Sequence, residues 1–367
     1  MDNKHHIVHT ESSGGWGGQE IRILSEIQEF MRNKHPITLI CDIDSPIAKR
    51  AKEYQIHTIE LPIGKKNIKG LLALKKWFSS NNFDIVNTHS SSDSWMAALG
   101  MRLARCKKPL IRTRHVSAPV SNNLATRWLY HKAANHIVTT GEKLRETLIR
   151  ENNLNPEKVT SVPTGIDTSL FVPTNEKSTI RKKLNIPEEK TVISIVATLR
   201  SWKGHSYLIQ AFHKLANKDT HLLIVGDGPQ WENINEQIQS YNLEKMVTLC
   251  GDQKNVIPWL QATDIFVLPS YANEGVPQGI MQAMSCGLPV ISTNVGSITE
   301  IIKHKETGLI VPSKNADAIC KSIELLINDH HIKNILKSNA KTLSLKKFNV
   351  DIMYQKMNAI FKKVVND

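Results

Sequence analysis

The sequence predicts two doubly wound parallel α/β domains in tandem, and three observations carry that prediction. Short apolar runs alternate with longer amphipathic stretches almost from end to end, the pattern of a parallel sheet covered on both faces. The alternation breaks where residues 159–163 run into Thr164-Gly165-Ile166-Asp167 and then Phe171-Val172-Pro173-Thr174-Asn175, after which a second series begins. The 367 residues exceed one ordinary core and suit two, each of about 150 to 180 residues.

In the first series strands are expected at 6–10, 37–41, 57–61, 84–88, 110–113 and 136–139, with the pattern ending at 159–163. Helices are expected at 20–34, 68–80 and 93–105. The second series places strands at 191–197, 221–225, 246–250, 265–268, 289–292 and 308–311. The chain then reads as helical from 316, with a terminal helix at 349–365. The expected organisation is a first domain over 1–172, a linker over 173–187 and a second domain over 188–345. Residues 346–367 form a helix that packs back on the first domain. Two such sheets leave a cleft at the carboxyl ends of their strands, where ligands of this architecture bind.

Bulk properties narrow the class. Apolar residues make up 40% and charged residues 22%, ordinary for a soluble globular protein. No apolar run approaches the roughly 18 to 20 residues that cross a bilayer, and the amino-terminal stretch lacks the apolar core of a signal peptide. Five scattered cysteines without a Cys-x-x-Cys pair read as reduced thiols, so the expected location is the cytoplasm. The formal net charge is +13. Residues 1–175 hold 24 Lys and Arg against 16 Asp and Glu, a surplus of 8, and the remainder a surplus of 5. Basic clusters at Lys65, Lys66, Lys69, Lys75 and Lys76, and from Arg102 to Arg114, suit a nucleotide diphosphate or an anionic membrane surface. Nucleic acid is not the expected partner.

Several loops could carry chemistry. Thr10-Glu11-Ser12-Ser13-Gly14-Gly15-Trp16-Gly17-Gly18-Gln19-Glu20 lies between the first strand and a helix, where glycines let backbone amides approach an anion. Gly-x-Gly-x-x-Gly cannot be laid on it and no Gly-Lys-Ser/Thr follows, which argues against a dehydrogenase and a P-loop enzyme. In the second half, Thr198-Leu199-Arg200-Ser201-Trp202-Lys203-Gly204 sets two cations at the end of a strand and the start of a helix, suited to a diphosphate. Gly226-Asp227-Gly228-Pro229 turns at the same sheet edge. Glu274 and Gln282, eight residues apart around a helix start, supply rigidly held polar groups for a hydroxyl-rich ligand. No Asp-x-Asp pair suited to a diphosphate-bound cation stands out.

Taken together, Gly17–Glu20, Val162-Pro163-Thr164-Gly165-Ile166-Asp167, Lys203-Gly204, Gly226–Pro229 and the run Glu274 through Pro289 resemble the GT-B glycosyltransferases. The similarity is to the family-4 group of retaining enzymes, which includes sucrose synthases and bacterial mannosyltransferases, and it spans nearly the whole chain. The resemblance implies a nucleotide diphosphate sugar as donor substrate, with no cofactor and no metal. It implies that Gly17 and Gly18 approach the donor, Lys203 binds the leaving diphosphate, and Glu274 and Gly275 contact the donor sugar. Gln282 then holds the ribose, Gly226 lines the nucleotide, and His115 faces the transferred sugar. His89 and Arg114 border the acceptor.

Two positions depart from the family pattern. Gln282 stands where the family has its second glutamate, and Thr198 stands where it has an arginine, with Arg200 two residues later as the candidate replacement. The expected activity is retaining transfer of a sugar to a saccharide or lipid-linked acceptor in assembly of bacterial surface polysaccharide or lipopolysaccharide. Peripheral attachment at the inner membrane face is expected with it. A sugar-nucleotide 2-epimerase of the same fold and a non-catalytic polyanion- or membrane-binding relative are the alternatives.

Overall fold

The computed structural model describes residues 4–116, 118–272 and 274–367. The chain divides into two compact units: residues 1–165 together with 350–367, and residues 166–349.

The first unit holds seven parallel strands: β1 (Ile7–Glu11), β2 (Ile37–Asp42), β3 (Thr58–Leu61), β4 (Ile85–Thr88), β5 (Leu110–Arg114), β6 (His136–Thr139) and β7 (Val159–Ser161), in the order β3-β2-β1-β4-β5-β6-β7. Its helices are α1 (Gly18–Arg32), α2 (Pro46–Glu53), α3 (Ile68–Ser80), α4 (Ser91–Leu103), α5 (Leu124–Trp128) with a π-helical turn after it, and α6 (Glu142–Asn152). Ser45 caps α2 through a bond from the Ala48 amide, with Pro46 in the first turn. That Ser-Pro start marks a helix the hydrophobic periodicity passed over, because α2 has only eight residues.

The second unit holds α7 (Lys177–Lys183), β8 (Thr191–Val196), α8 (His205–Leu215), β9 (Thr220–Val225), α9 (Trp231–Ser240), β10 (Val247–Gly251), α10 (Ile257–Ala262) and β11 (Ile265–Leu268). It continues through α11 (Gln278–Ser285), β12 (Val290–Thr293), β13 (Leu309–Val311), α12 (Ala316–Asn328) and α13 (His330–Lys347). Its strands are all parallel, in the order β10-β9-β8-β11-β12-β13. The stretch 173–187, expected as a linker, instead contains α7. Lys177 and Arg181 of that helix both pair with Asp264, and Arg181 also donates to the Ala262 carbonyl, so the segment is fastened to its own unit.

All twelve expected strands are present, shifted by at most one residue at their ends, and β7 lies where the first pattern was expected to end. Inside each sheet, away from the edge strands β3, β7, β10 and β13, the central residues are buried on both faces, which is why these strands show no strict apolar-polar alternation. The last helix, α14 (Val350–Asn366), belongs to the first unit. Val350, Met353, Met357, Ile360, Phe361 and Val364 form one buried stripe at helical spacing and join the core of Ile7, Ile23, Ile27 and Phe30. Phe30 sits 5.2 Å from Phe361 and 4.8 Å from Tyr354, ring centroid to centroid. Among the described residues no helix is long and apolar enough to cross a membrane.

Docking of α14 is therefore a large part of the first unit's stability. Phe361→Ala empties a fully buried ring site and is expected to cost about 3–5 kcal/mol, read as a lower midpoint in urea unfolding followed by circular dichroism.

Candidate functional site

In an open parallel sheet, ligands bind where the strand order reverses, beyond the carboxyl ends of the strands. In the second unit that point lies between β8 and β11. The loop after β8 turns once through Ser201–Lys203 and enters α8 at Gly204. The loop after β11 carries Glu274 and enters α11 at Gln278. The Tyr271 amide donates to the Trp202 carbonyl at 2.8 Å, which ties the two loops together.

Across this junction Lys203 Nζ lies 2.7 Å from Glu274 Oε1, and Ser270 Oγ donates to the same oxygen at 2.6 Å. Glu274 is buried and Lys203 half-buried. Gly204 is the residue the geometry demands here: its φ is +81° and an added Cβ would fall 2.1 Å from the Pro269 carbonyl oxygen. Gly226, directly after β9, has φ +139° and leaves room for the Ala197 carbonyl at the same edge. Gln282 is buried one turn into α11, and Gly275 lies in the loop between Glu274 and that helix. The amino ends of α8 and α11 present the backbone N–H groups of their first turns and the positive end of each helix dipole.

Arg200 is placed differently from Lys203. It is exposed, and its guanidinium lies over the Trp202 ring, 5.7 Å from the centroid. Its carbonyl accepts from the Lys203 amide at 3.0 Å, but among the described residues no hydrogen bond or ion pair joins its guanidinium to the Lys203 or Glu274 side chains. His205, which the sequence reading did not single out, opens α8 and is fully buried; burial first, and Lys203 second, lower its pKa to about 3.

In the first unit the reversal lies between β1 and β4. Gly17 caps α1 with extended backbone and Gly18 is that helix's first residue. The loop before them is held by carboxylates absent from the sequence-based candidates. Glu11 accepts from the Ser13 amide at 2.7 Å, from Gln19 Nε2 at 2.6 Å and from Ser90 Oγ. Asp93 accepts from Thr10 Oγ1 at 2.6 Å and the His89 amide at 3.0 Å. Burial raises Glu20 and Asp93 to about 7, with repulsion from Glu11 adding to each, and burial raises Glu11 as well.

His89 and His115 follow β4 and β5 directly and are joined, Nδ1 to Nε2, at 3.0 Å. His9, inside β1, extends the line with Nδ1 2.9 Å from His89 Nε2. Below them Arg22 donates to the Val162 carbonyl at 2.7 Å and faces Glu26 at 3.5 Å. Asn87 donates to Glu26 at 3.2 Å and accepts from Thr113 Oγ1 at 2.7 Å.

Arg114, expected beside the acceptor, turns inward instead. It is buried and donates to Tyr130 Oη and the Ala118 carbonyl, while Arg112 donates to Tyr130, Ser90 and Ser94. These two cations of the basic run therefore brace the sheet edge. In Asp42-Ile43-Asp44, Asp42 accepts from the Gly64 amide at 2.7 Å, and the Asp44 amide donates to Glu60 at 2.8 Å. Among the described residues no group of three or more His, Cys, Asp and Glu could hold a metal ion.

Comparison with known proteins matches two family models in tandem: glycosyltransferase family 4 over residues 16–170 and glycosyl transferases group 1 over residues 176–343. The chain is 25% identical, over 98% of its length and 97% of the relative's, to the UDP-Gal:alpha-D-GlcNAc-diphosphoundecaprenol alpha-1,3-galactosyltransferase of Escherichia coli. It is 27% identical over about half its length, and 49% of the relative's, to the N-acetyl-alpha-D-glucosaminyl L-malate synthase of Bacillus anthracis. Among solved structures it is similar to a glycosyltransferase of Rickettsia africae ESF-5, with a TM-score of 0.88 at 21% identity and full coverage of both chains. Anabaena Alr3699/HepE in complex with UDP-glucose also gives 0.88, at 19% identity, covering 98% of this chain and 100% of that one.

The Gly204 geometry makes a prediction about the loop that carries Lys203. Gly204→Ala forces either the left-handed backbone or the Pro269 carbonyl to move, and it is expected to destabilise the second unit by about 1–3 kcal/mol. Thermal denaturation checks this; an unchanged midpoint would show that the loop is not held as described.

Proposed function

The chain belongs to the glycosyltransferases of group 1 and family 4, with the GT-B fold, and from that premise we propose that it moves a hexose from a UDP-sugar to a lipid-linked saccharide with retention of anomeric configuration. The observation that carries the reading is the Lys203–Glu274 contact at the β8/β11 reversal, flanked by two helix amino ends. The named substrates of the Escherichia coli relative and the UDP-glucose complex of the Anabaena structure support the choice of donor and acceptor class.

Sugar transfer develops negative charge on the departing diphosphate and positive charge on the anomeric carbon. Lys203 has three N–H donors, so it keeps Glu274 and still reaches a phosphate oxygen. The amino ends of α8 and α11 add fixed partial positive charge, so the diphosphate leaves without a metal ion. Lys203 and Ser270 both bond to Oε1 of Glu274, and Oε2 is the oxygen assigned to donor-sugar hydroxyls. Gln282 takes the ribose hydroxyls through its amide, and Gly226 and Gly275 give the nucleotide close backbone approach. His115 faces the transferred sugar. The bond from the anomeric carbon to the phosphate oxygen breaks as the acceptor oxygen bonds to the same face, and the acceptor proton passes to the departing phosphate.

A peripheral membrane site for the acceptor, in bacterial surface polysaccharide or lipopolysaccharide assembly, is supported by how charge is distributed. Residues 61–141 hold 13 Lys and Arg against two acids. Arg112, Arg114 and Asp93 among them are buried, which leaves 11 Lys and Arg against one acid, so the surface of this stretch stays strongly basic. Ile68 and Leu72 of α3 and Leu99 and Leu103 of α4 are exposed among these lysines and arginines. The two helices pack closely, since a Cβ on Gly100 would lie 3.2 Å from that of Leu74. Apolar side chains set among cations on neighbouring helices suit an anionic lipid surface.

Two sets of variants test this. Lys203→Ala and Glu274→Ala are each expected to lower kcat roughly 10²–10³-fold, and Arg200→Ala about fivefold or less, as for an exposed charge contact. Steady-state assays with UDP-sugars and a lipid-linked acceptor decide it, and full activity in either of the first two would remove the assignment. For the membrane face, sedimentation with phosphatidylglycerol-containing vesicles should fall about fivefold per charge reversed in Lys69→Glu and Lys76→Glu. Equal binding to neutral vesicles would count against it.

A further inference from the structure

The line of three histidines has a direction. His9, His89 and His115 come from the neighbouring strands β1, β4 and β5 or the residues just after them. Their contacts run Nδ1 to Nε2 twice, at 2.9 and 3.0 Å. The His9 and His89 rings are 6° from parallel and the His89 and His115 rings 34° apart. Burial holds all three neutral, with His9 lowered to about 3. The positive charges of Arg22 and Arg112 act in the same sense on His89 and His115, as does Arg114 on His115.

A neutral imidazole has one N–H and one lone pair. Three such rings joined by two hydrogen bonds admit two arrangements. In one, His9 donates to His89, His89 donates to His115, and the remaining hydrogen sits on His115 Nδ1. In the other every bond reverses and the remaining hydrogen sits on His9 Nε2. His9 Nε2 is buried with no partner among the described residues. A buried N–H without an acceptor is rarer in folded proteins than a buried lone pair without a donor, and it loses about 1–3 kcal/mol. The first arrangement therefore prevails.

We propose that His9 and His89 are positioning residues that hold His115 as its neutral Nδ1–H tautomer, so that His115 meets the transferred sugar as a hydrogen-bond donor and not as a base. The tautomer follows from the array alone; its use on the sugar rests on the transferase reading above.

The test is a long-range 1H–15N correlation spectrum of the full chain labelled at histidine, with the His115 signals assigned by their loss in His115→Gln. The expected pattern has a protonated Nδ1 and an unprotonated Nε2 at neutral pH. A protonated Nε2, or a doubly protonated ring, overturns the proposal, and this wild-type measurement stands even if every variant misfolds. His9→Leu removes the donor at the head of the line and should give His115 a mixture of tautomers. In the same variant kcat should fall roughly tenfold, as for loss of a group that orients a functional histidine, with both KM values within about twofold. His9→Asn, whose amide N–H can occupy the place of Nδ1–H, should restore the single tautomer and most of kcat. An unchanged His115 spectrum in His9→Leu overturns the directional account. The expected spectrum without transfer from any nucleotide sugar would uphold the array and sink the transferase reading instead.

Discussion

Each half of this protein is organised by the reversal of strand order within a parallel sheet. On either side of that point the crossover helices pass to opposite faces, so their amino ends stand apart and the strand ends between them have no covering element. Backbone N–H groups and helix dipoles converge there, and polar side chains are tolerated because a ligand or a partner can satisfy them. In the second unit the two loops that meet at the reversal deliver one cation and one carboxylate to within hydrogen-bond distance. A buried carboxylate alone would be costly, and Lys203 with Ser270 offsets that cost while keeping the ammonium at the site.

The first unit meets the same constraint with a different set of groups. Its reversal between β1 and β4 is lined by histidines, hydroxyls and carboxylates, most of them hydrogen-bonded to one another. Arg22, Glu26, Asn87 and Thr113 carry the polar network beneath the sheet's edge, from α1 across to β5. Such networks are favourable only when nearly every member has a partner, and they then fix side-chain orientation closely. Among the described residues, the buried atoms without a hydrogen-bond partner include Arg22 Nε, Glu26 Oε2, which faces Arg22 at 3.5 Å, and His9 Nε2, and the last of these sets the polarity of the histidine line.

Charge is divided in a similar way between inside and outside. Arg112 and Arg114 lie in the most basic stretch of the sequence, yet both are buried against Tyr130. Most of the cations of that stretch that remain outside lie on α3, α4 and the loops beside them, interleaved with exposed aliphatic side chains.

Strand positions were legible in the sequence because burial on both faces of a parallel sheet requires unbroken apolar runs, and such runs need no knowledge of their neighbours. Lys203, Glu274, Gln282 and the glycines at 204 and 226 were legible for a related reason: a strand end, a tight turn and a helix start are all local. The sequence alone thus determined the two doubly wound series, the terminal helix and the second-unit candidates. Only the tertiary structure decided that α7 fastens the stretch between the series, that Arg114 points inward, that Arg200 lies over Trp202, and that His9 joins His89 and His115. Those outcomes depend on side chains 26 to 87 residues apart in sequence, or on which way a long side chain turns. Neither separation nor direction leaves a periodic mark in the chain, because both are set by which strands become neighbours.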